Sequence, residues 1–537
     1  MKTKRLTACL LAAVLAGTSL AGCGGKTDST DSGEKIEVHE SGYPIVDEKA
    51  TLKAVAVIDD GDFASADGVL HQEMEEQTNV HIEFEDVTSS AWQEKKGLRM
   101  SSKDMPDVLI GTNLFNDKDI LDYSSQGIII PIDELAEKYA PNFMHLLESD
   151  PELRKQITAE DGHIYGLPNY DKGFTPTTNT VMYINSDWLK KLNLEVPTNY
   201  DEFYEVLKAF KTQDPNGNGK ADEIPMSFVK EEYASPWFYS FGALDNTNSY
   251  SKHLSVKDGK VVFAANQPEY KEAVKYFNKL FSEGLIDQEA FTQDNSMFNA
   301  KLKAYPERQV GVFAAWRSNA WKNAAQTEDD YIAVPPLASP DGMRCWPEMD
   351  RGVTKRASFV ITSSCKNPEL ALRWADTFYS EEYSIQTNLK VKLGTHVVKN
   401  DAGKYEILRP YNNDDPNEPK IKNGSLFWAM TPEIVDKFEA PPAHMKEKFE
   451  LDKIYNDFYP PQDTHYPNVF FTNEEATKLA DFSVDINSYV EGKYASWMVN
   501  GGIDEEWDAY IQKLNDMKLD EMLEIYQGAY DRYESID

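Results

Sequence analysis

The sequence predicts an α/β fold in which helices cover a mostly parallel sheet. After about residue 50, segments that read as strands alternate with segments that carry helical spacing of apolar residues. Consecutive strands are separated by helix-length segments, which is typical of parallel strands joined by helical crossovers. Both observations favour a sheet with helices on both faces.

The first elements follow one another closely. We predict strands at 51–58, 80–87 and 107–110, with helices at 66–78 and 91–101 between them. In such sheets, ligands bind beyond the carboxyl ends of the strands. This places a candidate site at residues 111–113 and after Ile58.

Later segments continue the pattern. A turn at 161–163 leads into a strand, and further strands are predicted at 181–184, 309–315 and 357–361. The strand at 309–315 runs into Trp316 and a helix. Capping sequences predict helices that begin near Trp188, after 197–202 and at Asn367-Pro368-Glu369. The last 60 residues have mostly helical spacing.

The N-terminus has the pattern of a lipoprotein export signal. Three basic residues, Lys2, Lys4 and Arg5, precede an apolar run that ends at Leu20-Ala21-Gly22-Cys23. The run is too short for a stable membrane span. We expect residues 1–22 to be removed and Cys23 to carry the lipid, although an ordinary secretory signal fits the same charges and apolar run. We expect residues 23–50 to be a polar, flexible tether. The lipoprotein signal itself predicts a bacterial protein that is held outside the membrane.

Composition excludes some functions. The 537 residues have a net charge of −35, which becomes −38 without the signal. Such a chain repels phosphate backbones, which argues against nucleic-acid binding. Aromatic residues make up 12% of the chain, and their flat rings suit sugar faces as well as protein cores. No later apolar stretch reaches the length of a membrane span, so contact with the membrane is expected through the lipid alone.

Few catalytic patterns occur. The nine histidines lack the spacing of a zinc site, and neither a Gly-x-Ser-x-Gly elbow nor a phosphate-binding loop is present. Cys345 and Cys365 fit either a disulfide or two buried thiols.

The order of several motifs resembles the extracellular solute-binding proteins, family 1, of ABC sugar importers. The long lipoprotein branch, which includes alginate-oligosaccharide-binding proteins, is the most similar. The resemblance covers nearly the whole mature chain. It rests on the Cys23 signal and on segments 105–108, 161–168, 183–189, 214–220, 316, 367–371, 506–508 and 529–532.

The resemblance implies a class II periplasmic-binding-protein-like fold with two discontinuous α/β lobes, a ligand cleft and a hinge. Lobe one is expected at 51–180 plus 308–385, and lobe two at 181–307 plus 386–537. It also implies a monomer that captures an oligosaccharide and delivers it to ABC permease subunits.

Residues 214–223 have the pattern of a calcium-binding loop. Oxygen-bearing side chains occupy positions one, three, five and nine, and a glycine allows the sharp turn at position six. Pro225 stands at position twelve, so a late carboxylate must come from Asp222 or Glu223. A plain hydrophilic turn is the alternative, but the alginate-binding relatives hold calcium with the same compact pattern. The expected ligands of a structural calcium ion are Asp214, Asn216, Asn218, Lys220 through its carbonyl, Asp222 and Glu223.

Sugar binding needs aromatic rings for stacking and planar polar groups for hydroxyls. Trp316 is the foremost candidate because it follows a predicted buried strand, and it resembles the stacking Trp of maltose-type binding proteins. Arg317 is beside it. The other ligand candidates are Trp346, Trp237, Tyr239, Asp107, Asn113, Tyr170 and Asp171. Each aromatic residue among them also fits a core position.

Two other functions fit parts of the sequence. A lipid-anchored glycoside hydrolase or lyase needs two carboxylates across a cleft, and 90 acidic residues supply such pairs by chance. A surface adhesion module is the third, although no repeats or sandwich-like strand pattern support it. A binding protein without catalytic activity is the interpretation that agrees with most of the motifs.

Overall fold

The computed structural model describes residues 36–536 with short gaps. The gaps are 103, 230–234, 246–252, 323–329, 350, 413–414, 416 and 422. Cys23 and the first part of the tether lie outside the described residues. Within the described part, none of the helices combines the length and apolarity needed to cross a membrane.

Fourteen strands are present in the described residues. They are β1 (Ala50–Ile58), β2 (Val80–Thr88), β3 (Val108–Ile110), β4 (Leu167–Asp171), β5 (Val181–Asn185), β6 (Ile224–Met226), β7 (Leu254–Lys257), β8 (Lys260–Phe263), β9 (Val310–Ala315), β10 (Tyr331–Val334), β11 (Gly352–Ile361), β12 (Val397–Lys399), β13 (Tyr405–Ile407) and β14 (Ala429–Met430).

Eighteen α-helices accompany them in the same residues. They are α1 (Val69–Thr78), α2 (Ser89–Met100), α3 (Asp117–Ser125), α4 (Asp133–Tyr139), α5 (Pro141–Ser149), α6 (Pro151–Ile157), α7 (Ser186–Leu192), α8 (Tyr200–Thr212), α9 (Ser235–Phe238), α10 (Pro268–Ser282), α11 (Asn295–Leu302), α12 (Pro368–Asp376), α13 (Glu381–Leu389), α14 (Pro432–Val435), α15 (Ala443–Tyr455), α16 (Asn473–Asn500), α17 (Ile503–Asp516) and α18 (Leu519–Glu534).

Lobe one is built on a six-stranded sheet with the order β14-β4-β11-β3-β1-β2. All of its strands are parallel except β11, which runs against β3 and β4. Alternate residues of β1 pack into separate cores: Ala54 and Ala56 lie on one face, Val55 and Val57 on the other. Both faces of the sheet are therefore covered, as the helical crossovers predict.

Lobe two is built on a four-stranded sheet with the order β10-β5-β9-β6. Strand β5 runs antiparallel to both neighbours, and β6 is parallel to β9. The C-terminal helices α16, α17 and α18 share the hydrophobic core of this lobe through Trp497, Tyr510 and Met522. These side chains are buried, so the helical C-terminal region predicted from sequence contributes packing.

Several local predictions are confirmed. Strands predicted at 51–58 and 80–87 are observed with one more residue each. The side chain of Asn185 accepts hydrogen bonds from two main-chain N–H groups of α7, and Asn199 accepts one from α8. Each asparagine therefore satisfies donors that the first helical turn leaves unpaired.

The predicted lobe boundaries are wrong in two places. Strands β9 and β10, expected in lobe one, pair with β5 in the sheet of lobe two. Conversely, Phe427 and β14, expected in lobe two, belong to the core and the sheet of lobe one. Main-chain hydrogen bonds assign each strand to its lobe. A strand pattern in the sequence does not specify the sheet that the strand joins. Each lobe is still discontinuous in sequence.

Candidate functional site

Two crossover segments connect the six-stranded sheet of lobe one with the four-stranded sheet of lobe two. Residues 172–180 connect the carboxyl end of β4 with the start of β5, and residues 335–351 connect the end of β10 with the start of β11. The carboxyl ends of β1, β2, β3 and β4 lie at the same edge of the six-stranded sheet. In lobe two, the end of β9 lies at the edge where β5 begins. These edges form the two sides of a candidate cleft.

The lobe-one side of the cleft carries polar groups at the strand ends. Asn113, after β3, donates its side-chain N–H to Oδ1 of Asp59, which directly follows β1, at 3.3 Å. Asp62 accepts the main-chain N–H of Asp59 at 3.1 Å, and Asp60 accepts the hydroxyl of Ser90 at 2.8 Å. Asp59 and Asn113 are half-buried, so each keeps part of its surface accessible. Asn113 lies at the predicted strand end, where Asp59 adds a carboxylate.

A buried glycine brings a distant loop against these strand ends. Gly424 donates its N–H to Asp62 at 2.7 Å, and its carbonyl accepts the N–H of Thr112 at 3.0 Å. A Cβ atom at position 424 would lie 2.8 Å from the main-chain nitrogen of Asp59. Only glycine permits this close approach. This loop cannot be predicted from the sequence, because no local motif at 423–425 reveals its partner strand.

Asp171 is the last residue of β4 and lies at the same carboxyl-end side of the six-stranded sheet. Its Oδ2 accepts the side-chain N–H of Asn388 at 2.8 Å, and its Oδ1 accepts the N–H of Gly173 at 3.0 Å. Burial raises the pKa of this carboxyl, while the hydrogen bonds and the nearby charge of Arg351 act in the opposite direction. Asp171 is therefore at the cleft edge, with its oxygens already engaged in positioning the first crossover.

Trp316 forms the aromatic part of the lobe-two side. It follows β9 directly and is half-buried. The ammonium nitrogen of Lys448, on α15, lies 4.1 Å from the centroid of the Trp316 ring. This distance is that of a cation–π contact. One face of the indole is therefore occupied by a lysine that the sequence analysis did not single out, because α15 is more than 120 residues farther along the chain.

The turn after Trp316 is held by the same helix. Arg317 donates to the main-chain carbonyl of His444, and Glu447 accepts the N–H and the hydroxyl of Ser318, both at 2.8 Å. The predicted helix is represented in the described residues by a single 3-10 turn, Ser318–Ala320. Arg317 is half-buried beside Trp316, so these two candidates are brought together as expected.

Three other aromatic candidates are core residues. Trp237 and Trp346 have exposed fractions of 0% and 1%, and their rings meet edge to face at 6.3 Å. Trp346 donates its indole N–H to the carbonyl of Thr180 at 2.8 Å. Tyr239 is also buried, and its hydroxyl donates to the carbonyl of Asp245. The prediction that these rings contact ligand is wrong for this conformation, because their faces pack against protein.

Two further ligand candidates, both in lobe one, lie away from the predicted site. Tyr170 is buried in β4, and its hydroxyl donates to Asp150 at 2.6 Å. Asp107 precedes β3 and accepts the N–H of Lys53 at 2.8 Å, near the start of β1. That position is at the amino ends of the strands, opposite the cleft edge. Asp107 therefore joins neighbouring strands instead of lining the site.

The loop 214–223 adopts a tight polar turn. Asp214 accepts the N–H groups of Gly217, Asn218 and Gly219 at 3.0–3.1 Å. Gly219, at position six of the pattern, has φ +75°, which favours glycine. Among the side chains, Asn218 donates to both carboxylate oxygens of Asp222 at 3.1 Å. Lys220 donates its main-chain N–H to the side-chain oxygen of Asn218 at 2.8 Å. Its main-chain carbonyl is left for other contacts.

The donor set of the loop fits a hard cation such as calcium. Oε1 of Glu223 is buried and has no hydrogen-bond partner within the described residues. Burial raises the pKa of Glu223, and the charges of Asp214 and Asp222 add to the rise. A buried carboxylate oxygen without a donor is a group that a calcium ion stabilises, although the described residues contain no group of three or more His, Cys, Asp or Glu side chains arranged to hold a metal ion. The chemistry of the oxygen donors is therefore compatible with calcium, while the carboxylates of this structure are not arranged as a formed metal site.

The two remaining cysteines are free thiols. Cys345 is buried in lobe two, where its N–H and carbonyl bond the hydroxyl of Ser240, and Cys365 is half-buried in lobe one. Burial raises the pKa of each thiol to about 12. Of the two alternatives open from sequence, the structure has the unpaired one.

Comparison with known proteins gives consistent similarities. The chain is 35% identical over 99% of its length, and over 99% of the relative, to the fructooligosaccharide ABC transporter substrate-binding protein FusA of Streptococcus pneumoniae. The structure of FusA in complex with kestose matches with a TM-score of 0.69 at 33% identity, covering 91% of this chain and all of that one. A FusA EF-hand mutant in complex with fructo-nystose matches equally well.

A second solved structure matches over a similar range. The crystal structure of an extracellular solute-binding protein from Bifidobacterium longum subsp. infantis is 30% identical, with a TM-score of 0.76 over 90% of this chain and 98% of that one. Residues 59–385 also match the family described as bacterial extracellular solute-binding protein. This chain therefore belongs to the bacterial extracellular solute-binding proteins.

Proposed function

We propose that this protein captures a fructose-containing oligosaccharide in the cleft between its lobes and delivers it to an ABC permease. The observation that carries the proposal is the similarity to FusA along the entire length of both chains. Trp316, at the cleft edge, supports a carbohydrate ligand because an accessible indole face stacks on the apolar face of a sugar ring. The family resemblance stated from sequence agrees with this class of solute.

In this proposal the two sides of the cleft have different tasks. Trp316 supplies apolar contact, and Asp59 and Asn113 supply an acceptor and a donor for sugar hydroxyls. Asp171 and Arg317 are secondary polar contacts at the edges. Closure of the lobes around the crossovers at 172–180 and 335–351 would bring both sides onto the sugar.

The proposal includes a structural calcium ion in loop 214–223. Asp214, Asn216, Asn218, Asp222, Glu223 and the carbonyl of Lys220 would hold it. Its chemistry is that of a cross-link, since it would neutralise three carboxylates and supply the missing partner of Glu223. The EF-hand of the relative FusA supports this assignment.

We further propose that the protein is a monomer anchored outside the cell by a lipid on Cys23. The export signal carries this part of the proposal. A polar tether after Cys23 would let the lobes reach a permease in the same membrane. The anchor would thus restrict capture to solutes at the cell surface.

Titration calorimetry with kestose and a panel of other oligosaccharides tests the ligand class. We expect saturable binding of kestose to the purified chain and an increase in its melting temperature. Prolonged incubation followed by chromatography should return the sugar intact, which separates a binding protein from the hydrolase or lyase alternative. Release of cleaved sugar that a single carboxylate substitution abolishes would overturn the proposal, as would tight binding confined to sugars without fructose.

A further inference from the structure

Lys448 is a fully buried lysine that contacts Trp316, on the lobe-two side of the candidate cleft. Its exposed fraction is 0%, and its ammonium nitrogen lies 4.1 Å from the centroid of the half-buried Trp316 ring. The ammonium also donates to the main-chain carbonyl of Asn179, on the first crossover, at 3.2 Å. Burying a lysine costs free energy unless its charge is used, so a contact with one specific ring requires an explanation.

The helix α15 fixes this lysine relative to the tryptophan. Its Asp452 accepts the N–H groups of Thr177 and Thr178 on the crossover, both at 2.9 Å. Its Glu447 holds Ser318, two residues after Trp316, by two bonds of 2.8 Å. The lysine and the indole therefore belong to one hydrogen-bonded unit that includes the crossover.

We propose that Lys448 is a positioning residue of the sugar site: it holds the Trp316 indole from one face, so that the opposite face alone receives a sugar ring. This inference rests on the proposed function for its ligand. An indole that already contacts a lysine on one face loses little conformational freedom when a sugar stacks on the other face. Pre-organisation of this kind raises the affinity for the sugar. A ring without the lysine would have to be ordered by the ligand itself.

The charge on Lys448 makes this arrangement sensitive to pH. Burial, assisted by the charge of Arg317 and opposed by the charges of Asp452 and Glu447, lowers the pKa of Lys448 to about 8. Below this pKa the ammonium is charged and the cation–π contact is present. As the pH rises through about 8, the proton is lost and the attraction to the ring disappears. Sugar affinity should therefore weaken from pH 7 to pH 9.

A fluorescence titration tests the contact without any sugar. The emission of the purified protein is recorded from pH 6.5 to 9.5 for the wild type, Trp316→Phe and Lys448→Met, and the Trp316 contribution is taken by difference. We expect a transition near pH 8 in the wild type that is absent from both variants. A wild-type emission without that transition, or the same transition in Trp316→Phe, would overturn the proposal whatever sugar the protein binds.

Calorimetry with kestose then tests the consequence for binding. At pH 7, Lys448→Met should bind kestose roughly fivefold to tenfold more weakly than the wild type, and its affinity should not change with pH. Lys448→Arg keeps a cation at every pH, so its affinity should stay near the pH 7 wild-type value up to pH 9. Thermal melts establish that each variant is folded.

The two failures can be told apart. If kestose does not bind the wild type but its fluorescence still shows the transition near pH 8, the proposed ligand is wrong. The contact between Lys448 and Trp316 is then still supported. If kestose binds the wild type and folded Lys448→Met equally well, Lys448 has no positioning role. Should Lys448→Arg fail to fold, the wild-type pH profile of affinity decides the question alone.

Discussion

The side chain of Asn216 donates to the main-chain carbonyl of Arg308 at 3.3 Å. This bond joins loop 214–223 to the residues that enter β9, and Ile224 donates its N–H to Gln309 at 2.8 Å beside it. Strand β9 then leads directly to Trp316. The candidate calcium loop and the aromatic side of the cleft are therefore connected through one short strand.

We expect calcium to stabilise the protein against thermal unfolding, because the ion would bind the folded loop and not the unfolded chain. At a free calcium concentration about 100 times Kd, the stabilisation is about 2.7 kcal/mol. Addition of a chelator should lower the melting temperature measured by calorimetry. Glu223→Gln should remove most of this dependence while the three N–H bonds to Asp214 remain.

Asp401→Ala is the matched control for this experiment, because Asp401 is an exposed acidic residue in a turn outside the loop. It should respond to chelator as the wild type does. Since a proton on Glu223 competes with the cation, calcium affinity should rise as the pH increases through the elevated pKa of this carboxyl. If the chelator does not change the melting temperature of the wild type, the loop is only a turn.

Replacement of Trp316 by alanine should weaken kestose binding by about 2 kcal/mol, which is roughly thirtyfold in Kd. The physical reason is the loss of the stacking surface at the cleft edge. Trp316→Phe should retain part of the affinity, because it keeps a smaller ring. Trp507→Phe is the control, since Trp507 packs on the C-terminal helices beside Trp497 and Tyr510. Equal affinities for Trp316→Ala and the control, measured by calorimetry, would exclude Trp316 from the site.

Substitution of Cys23 by alanine should release the protein from the cell surface into the medium. The lipid would be attached to the Cys23 sulfur, so alanine removes the attachment atom. Cys9→Ala is the control, because Cys9 lies in the segment that we expect to be removed with the signal. Fractionation and immunoblotting of both variants provide the measurement. Retention of the Cys23 variant in the membrane fraction would argue for an ordinary secretory signal with a different anchor.

Local sequence signals predicted the elements well because their causes are local. The strand at 80–87 follows from alternation, and the caps at Asn185 and Asn199 follow from side chains that reach main-chain N–H groups two or three residues away. The carboxyl-end rule also placed Asn113 correctly. These predictions depend only on neighbours within one turn of helix or one strand.

The errors concern long-range contacts. Trp346 and Trp316 both lie in loops at strand ends, but Trp346 turns into the core against Trp237 and Trp316 stays half-buried. The direction of each ring depends on residues more than 100 positions away. The same reason explains why β9 was assigned to the wrong lobe and why Lys448 was missed.

A buried carboxylate, Asp376, caps a helix from outside it. It has an exposed fraction of 0% and accepts the N–H of Phe143 at 2.9 Å and that of Asn142 at 3.2 Å, in the first turn of α5. Burial raises the pKa of Asp376 to about 6, although these hydrogen bonds and Arg373 act to lower it. The folded protein therefore holds a proton on Asp376 more tightly than the unfolded chain does.

This difference predicts a pH-dependent effect of Asp376→Asn. Since the folded pKa exceeds the unfolded value of 3.8, the contribution of Asp376 to stability is greatest below about pH 4 and falls as the pH rises through about 6. The full difference between the folded and the unfolded pKa corresponds to about 3 kcal/mol. Asparagine does not ionise, so relative to the wild type the variant should gain about 2 kcal/mol between pH 4 and pH 7, which is most of the full difference. Denaturant unfolding at both pH values measures this, with Asp401→Asn as the control, and a stability difference that is the same at both would show that Asp376 has an ordinary pKa.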